Sequence, residues 1–208
     1  MASEYYQTRY SYTKNRNKVW KAICQYLRKY VTEEALVLDL GSGYCDFINN
    51  IPAAKKFALD SDISSKDYCN PDVTFLNINA TDMDFDEQSV DVVFASNLLE
   101  HLEDRDLDEL TNKIFLSLKK TGKLILIQPN YYYAYRNYWD DFTHKKAFSH
   151  ISLSDFLTSK GFKIIRVEKK FLPFSFKSIF PKTYILTLFY LNFFWHPFAK
   201  QMLIIAQK

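Results

Sequence analysis

Short apolar runs recur along the first two thirds of this 208-residue chain, and they do more than anything else to restrict its fold. "ALVLDLG", "KKFALDSD" and "DVTFLNIN" follow one another at intervals of about twenty residues, and "SVDVVFASN" and "GKLILIQPN" come after them. The first run has no polar–apolar alternation, which is the pattern of a strand buried on both faces. Between the runs lie stretches with helical or turn character. Residues 103–119 place Leu107, Leu110, Ile114, Phe115 and Leu118 on one helical face, with "KKTG" read as the stop. Strands that alternate with such crossovers predict an α/β fold with a mainly parallel sheet.

The flanks continue the pattern. Residues 14–30 carry Val19, Trp20, Ile23, Tyr26, Leu27 and Tyr30 at helical spacing. "SLSDFLTSKGF" predicts a short helix with Ser152 or Ser154 as N-cap and Gly161 as terminator. "FKIIRVEKKFL" and "QMLIIAQK" are two further strands. The length suits one domain over 1–208. It divides into a helical arm (1–34), a cofactor-binding half (35–130) and an acceptor-side half (131–208). Two segments fall outside the regular scheme: a polar-aromatic loop over 130–150 and an apolar insertion over 173–200.

Composition narrows the class. The cysteines, Cys24, Cys45 and Cys69, are odd in number and lack CxxC spacing, which fits a reducing compartment and gives no metal site. No metal is expected elsewhere. "MASEYYQTRY" has no apolar leader, so a cytoplasmic location is the expectation. Charge is uneven: from Lys145 onward 11 Lys/Arg face two acids, while residues 1–144 carry 16 against 22. A basic C-terminal part suits an anionic acceptor or an acidic membrane surface, and equally a solvated face. A net charge of +3 is weak for a nucleic-acid partner, and none is expected.

The first strand runs into "DLGSGYCDF". In an open parallel sheet, ligands sit beyond the carboxyl ends of strands where the strand order reverses, so Gly41, Ser42 and Gly43 lie at a crevice. A dinucleotide fingerprint needs a third glycine where this chain has Asp46, and a carboxylate there would repel a pyrophosphate. No Gly-Lys-Ser/Thr follows, so a P-loop is excluded too. Asp39 two residues before the first glycine suits a ligand with a cationic centre and an amino acid head.

This segment resembles motif I of the class I S-adenosylmethionine-dependent methyltransferases, with Cys45 where that family often has a third glycine. Other features follow in the family's order. Asp60 ends the second strand, and the resemblance assigns it the ribose hydroxyls. "NINATDMDF" resembles the adenine-bordering segment, with Asn79 where Asp is usual, Ala80 beside it and Asp82 as a nearby substitute. "VDVVFASNLLEHLED" resembles the fourth strand and its turn, with Ser96 and Asn97 lining the methionine end of the cofactor. "LKKTGKLILIQPN" resembles the run into strand five. The resemblance spans roughly residues 35–130. It implies a Rossmann-like methyltransferase fold, with a seven-stranded mainly parallel sheet, the last strand antiparallel and helices on both faces. It also implies S-adenosylmethionine as cofactor and S-adenosylhomocysteine as product.

Methyl transfer to a hydroxyl needs orientation and usually a base. The loop after strand five holds Asp140, Asp141, His144 and His150. A helical turn would set Asp141 beside His144 and let the acid orient the imidazole. Asp141 and His144, with His101 of "EHL", are the candidate catalytic residues; a solvated loop with incidental charges is the plain alternative. "YWDDFTH…FSHISL" resembles methyltransferases found with bacterial cell-envelope polysaccharide and glycosyl-transfer functions. That implies O-methylation of a sugar or glycan precursor, nucleotide- or lipid-linked. A small-molecule O- or N-methyltransferase, or a cofactor-binding homologue without activity, would share the cofactor residues. "TYILTLFYLNFFW" is too short to span a bilayer. It is expected to pack within the protein, with a homodimer surface or peripheral membrane contact as alternatives.

Overall fold

The structure is a computed structural model and describes residues 15–173 and 183–208. Residues 1–14 and 174–182, with Lys177 and Lys182 of the insertion, lie outside the described residues.

All seven expected strands form one sheet. They are β1 Leu36–Leu40, β2 Lys55–Leu59, β3 Val73–Leu76, β4 Val90–Ser96, β5 Leu118–Pro129, β6 Lys163–Pro173 and β7 Ala199–Gln207, in the order β3-β2-β1-β4-β5-β7-β6. The pairs β1–β2, β2–β3, β1–β4 and β4–β5 are parallel. β7 runs antiparallel between β5 and β6. The sheet is therefore mainly parallel, and its last strand is the reversed one. The chain steps outward from β1 to β3 and then returns to β4, so strand order reverses between β1 and β4, where a ligand crevice forms.

Period-two alternation divides the core between the two faces. Val37, Phe94, Ile127 and Leu203 point to one face, Leu38, Val93, Leu126 and Met202 to the other. Helix α1, Arg16–Leu27, covers the first face and buries Val19, Trp20, Ile23, Tyr26 and Leu27 as its spacing requires. Helices α2, Asp104–Ser117, and α4, His150–Ser159, cover the second face through Leu107, Leu110, Ile114, Leu153 and Leu157. A four-residue helix α3, Tyr131–Ala134, follows β5, and α5 spans Tyr184–Asn192.

Two boundaries differ from expectation. Helix α2 stops at Ser117, and "KKTG" belongs to β5: Leu118 pairs with Val90, but Lys123 already pairs with Val92. The surplus residues bulge out. Gly122 permits this, because a Cβ there would lie 2.9 Å from the Lys119 carbonyl oxygen. The N-cap of α4 is Ser149, whose side chain accepts from Ser152 N in a capping box; the downstream serines are inside the helix. Gly161, at φ +91°, follows that helix as expected. The β1–β2 crossover is a chain of turns, and 3-10 turns over Ile63–Tyr68 and Ala80–Asp82 serve the next two.

Helix α5 packs against α1 and buries Leu191. Its other side exposes Ile185, Leu186 and Phe189, followed by Phe194 and Trp195. So the expected inward packing is made by Leu191, while most of the apolar residues of this segment form an outer face. Among the described residues, no helix is long and apolar enough to cross a membrane.

Candidate functional site

The loop after β1 turns on three residues with positive φ: Gly41 at +66°, Gly43 at +52° and Cys45 at +54°. Cys45 thus occupies a left-handed position that a glycine would adopt without cost, which explains why a glycine is common there. Its thiol is buried and lies 3.5 Å from the Ser65 carbonyl oxygen. Gly41 N and Ser42 N both donate to the Leu59 carbonyl, tying the loop to the end of β2. A Cβ on Gly41 would approach Leu98 Cδ1 to 3.2 Å, so this glycine lets the β1 and β4 loops meet.

Asp60 locks the loop. Its Oδ2 accepts from Gly43 N at 2.7 Å and its Oδ1 from Asp62 N at 2.9 Å. Asp39 is buried beneath. Burial pushes its carboxyl well above the usual range, and the charges of Asp60 and Asp46 add to this, although a backbone hydrogen bond from Ile48 opposes it. Asp46 is a structural residue: its Oδ2 accepts from Arg16 Nε (2.9 Å) and Nη2 (2.6 Å), pinning α1 to the loop.

These residues fit S-adenosylmethionine. The Asp60 oxygens accept from backbone amides, and an ionised carboxylate, with about four acceptor sites, is the group that ribose hydroxyls can donate to. Asn79, exposed, donates its amide to Asp82 Oδ2 at 3.3 Å, which keeps its carbonyl oxygen for an adenine amino group, with Ala80 next in the turn. Asn97 follows β4 at φ +50°, donates Nδ2 to Ser96 Oγ and accepts from Gln201 Nε2 at 2.7 Å. An Asp60→Ala change is expected to weaken cofactor binding on the order of 100-fold, the loss of two charge-assisted hydrogen bonds. Calorimetric titration with S-adenosylhomocysteine measures it, and an unchanged affinity would take the ribose away from Asp60.

The three candidate catalytic residues come together past β4. The His101 and His144 rings lie 5.0 Å apart, centroid to centroid. Asp141 does not reach the site from a helical turn; it caps a tight turn, its Oδ1 accepting from Thr143 N (3.0 Å) and Thr143 Oγ1 (2.6 Å). That hydroxyl donates to Asp141, so it accepts from His101 Nδ1 at 3.0 Å, with the Thr143 carbonyl at 3.2 Å as second acceptor. The proton sits on Nδ1, and Nε2 keeps its lone pair. Burial pushes the His101 imidazole down, and the neighbouring His144 adds to it. Burial pushes Asp141 up, but the Thr143 hydrogen bonds and the two imidazoles outweigh it and hold the carboxyl below its ordinary value.

The 141–146 loop is clamped over this turn. Lys145 N and Lys146 N donate to the Glu100 carbonyl at 2.8 and 3.2 Å, and Lys145 and Lys146 pair with Glu103 and Asp104. Tyr138, fully buried, donates its hydroxyl to the Lys146 carbonyl and lays its ring 4.5 Å from that of His144. The other loop candidates are anchors: Asp140 accepts from Asn137, and His150 starts α4 beside Asn130. Sequence reasoning missed Glu100, Thr143 and Gln201. Glu100 is 1% exposed, and burial pushes its carboxyl up to about 8. An acid beside a histidine in an otherwise apolar turn was its only sequence signal.

Comparison with known proteins agrees with this geometry. A family model described as a methyltransferase domain matches residues 25–126. No curated protein matches the sequence significantly. Among solved structures, a SAM-dependent methyltransferase from Archaeoglobus fulgidus is similar at TM-score 0.70 and 20% identity, covering 100% of this chain and 99% of that one. A SAM-dependent methyltransferase from Thermotoga maritima, described as a possible histamine N-methyltransferase, gives 0.67 at 13% identity, covering 100% and 94%. One from Mesorhizobium loti gives 0.64 at 15%, covering 90% and 98%. At these identities the structures attest the fold, and the matched domain carries the activity. The chain has the Rossmann-like fold of S-adenosylmethionine-dependent methyltransferases and matches a methyltransferase domain over residues 25–126, which makes it a methyltransferase enzyme with S-adenosylmethionine as cofactor.

Proposed function

We propose that this methyltransferase modifies a hydroxyl of a sugar or glycan precursor. The observation that carries the reading is the chain Asp141–Thr143–His101, with His144 across from it, just past the end of β4. An amine acceptor can arrive unprotonated, whereas a hydroxyl must lose its proton as the new bond forms, and an oriented imidazole is what that step uses. Bound in the crevice, the cofactor would supply an electrophilic methyl group, with S-adenosylhomocysteine as its product. Asp141 and Thr143 hold the His101 Nδ1 proton in place, so Nε2 is the atom that receives the hydroxyl proton.

Two further features support a sugar. Tyr132, Tyr135, Trp139 and Phe142 are exposed around the loop after β5, offering flat apolar faces to pyranose rings. The basic C-terminal part suits a phosphate-linked acceptor. A lipid-linked one also fits the outer face of α5. At nine residues, about 14 Å long, that helix can lie on a membrane surface but cannot cross one.

His101→Ala is expected to lower kcat on hydroxyl acceptors by 10²–10⁴-fold, as loss of a positioned base does, with cofactor affinity unchanged. Labelled-methyl transfer to sugar nucleotides and lipid-linked sugars reads this out. Transfer to amines alone, indifferent to His101, would overturn the reading. Sedimentation with anionic vesicles tests the lipid-linked form, which absence of binding at low salt would sink.

A further inference from the structure

Glu100 is poorly accommodated where it sits. Its side chain is buried, yet neither carboxylate oxygen has a hydrogen-bond partner among the described residues. Buried carboxylates are ordinarily satisfied by amide or guanidinium donors, because leaving one unpaired is costly. Here two imidazoles lie close by. One ligand atom each from Glu100, His101 and His144 lies within 4.8 Å of the others, and no other such trio occurs among the described residues.

We propose that Glu100, His101 and His144 form a binding site for a divalent transition-metal cation on the acceptor side of the cofactor crevice. Two imidazoles and a carboxylate are the donors that Zn²⁺, Co²⁺ and Mn²⁺ accept, whereas Mg²⁺ and Ca²⁺ favour oxygen alone. The surroundings are built accordingly. His101 gives its Nδ1 proton to Thr143, which is itself fixed by Asp141, the outer-layer arrangement that turns a histidine's other nitrogen toward a metal. The Glu100 carbonyl holds the amides of Lys145 and Lys146, so the residue that offers its carboxylate also positions the loop that delivers His144.

Three protein ligands leave positions that an acceptor hydroxyl, or two neighbouring hydroxyls, could fill. A cation bound there lowers the hydroxyl's pKa, so that the proton passes to solvent water while the oxygen takes the methyl group. With metal present His101 is a ligand, and the cation takes over its task as base. This consequence rests on the hydroxyl-acceptor reading; metal binding itself does not.

The test is calorimetric titration of chelator-treated protein with Zn²⁺, Co²⁺, Mn²⁺ and Mg²⁺, together with the visible absorption spectrum of the Co²⁺ form. Expected are one transition-metal ion per chain at micromolar affinity or tighter and Mg²⁺ at least 100-fold weaker. Low-symmetry Co²⁺ bands should indicate nitrogen ligation. Glu100→Gln and His144→Ala should each weaken binding at least tenfold, with S-adenosylhomocysteine affinity retained as evidence of folding. No stoichiometric binding, or equal binding by wild type and Glu100→Gln, would overturn the site. Metal binding as described without methylation of any hydroxyl acceptor would leave the site standing and remove the acceptor reading.

Discussion

In the metal-free protein, Glu100→Gln is expected to raise stability by about 4 kcal/mol at pH 8 and by less than about 1 kcal/mol at pH 5. The cause is burial, which pushes the Glu100 carboxyl from its ordinary 4.5 to about 8. Below pH 4.5 the group is protonated in both folded and unfolded chains and contributes nothing to the difference. Between 4.5 and 8 the folded protein holds a proton that the unfolded chain has released, so stability falls as pH rises, by about 1.4 kcal/mol per pH unit. Above 8 both states are ionised and the penalty is constant. Glutamine keeps the shape and the unsatisfied polar atoms but cannot ionise, so it removes only the slope. Against a typical total of 5–15 kcal/mol, the effect is large. Urea midpoints across pH 5–8.5 in the presence of a chelator measure it. Parallel curves for the two proteins would mean that Glu100 is solvated or paired in solution.

Why such a residue escaped sequence reasoning follows from what a sequence can encode locally. The central strands were legible from their apolar runs, such as "LVLDL" and "LILI", and α1 and α2 because their apolar residues recur at helical spacing. The Asp39, Gly41, Gly43 and Asp60 set was legible for a related reason: strand ends and the loops that follow them are contiguous in the chain. The acceptor side obeys no such rule. Glu100 and His144 are brought together by a loop whose backbone amides fold onto a carbonyl 45 residues earlier, at Lys145. Gln201, which fixes Asn97, arrives from a strand 104 residues away. Asp141 was picked out for His144 by spacing, and its hydrogen bonds to Thr143, which lead on to His101, could not be read from that spacing. The crossovers were expected only as helical or turn connections, because their short 3-10 turns carry no periodicity to read.

Arg16→Met is expected to destabilise the protein by about 3 kcal/mol at pH 8, the cost of leaving a buried charge without its partner. Arg16 reaches the loop after β1 from the first turn of α1 and gives two hydrogen bonds to one oxygen of Asp46; both side chains are nearly inaccessible. The ion pair does not outweigh the desolvation of Asp46, whose carboxyl remains above its ordinary value. Without Arg16 the opposing charge is gone and the carboxyl rises further. An acid raised in the folded state penalises the fold only where the unfolded chain would be ionised, so the deficit should shrink as pH falls toward 5. Arg16→Met with Asp46→Asn should recover most of the loss at pH 8, because no buried charge then remains. The consequence extends to binding. Asp46 follows Cys45, whose left-handed backbone is strained, so freeing the pair should also weaken S-adenosylhomocysteine binding. Urea unfolding at pH 8 and 5.5, with calorimetry on the folded variants, separates these effects. A deficit equal at both pH values, unrelieved by Asp46→Asn, would show that Arg16 stabilises α1 through its aliphatic packing and ring contact with Tyr44 instead of through charge.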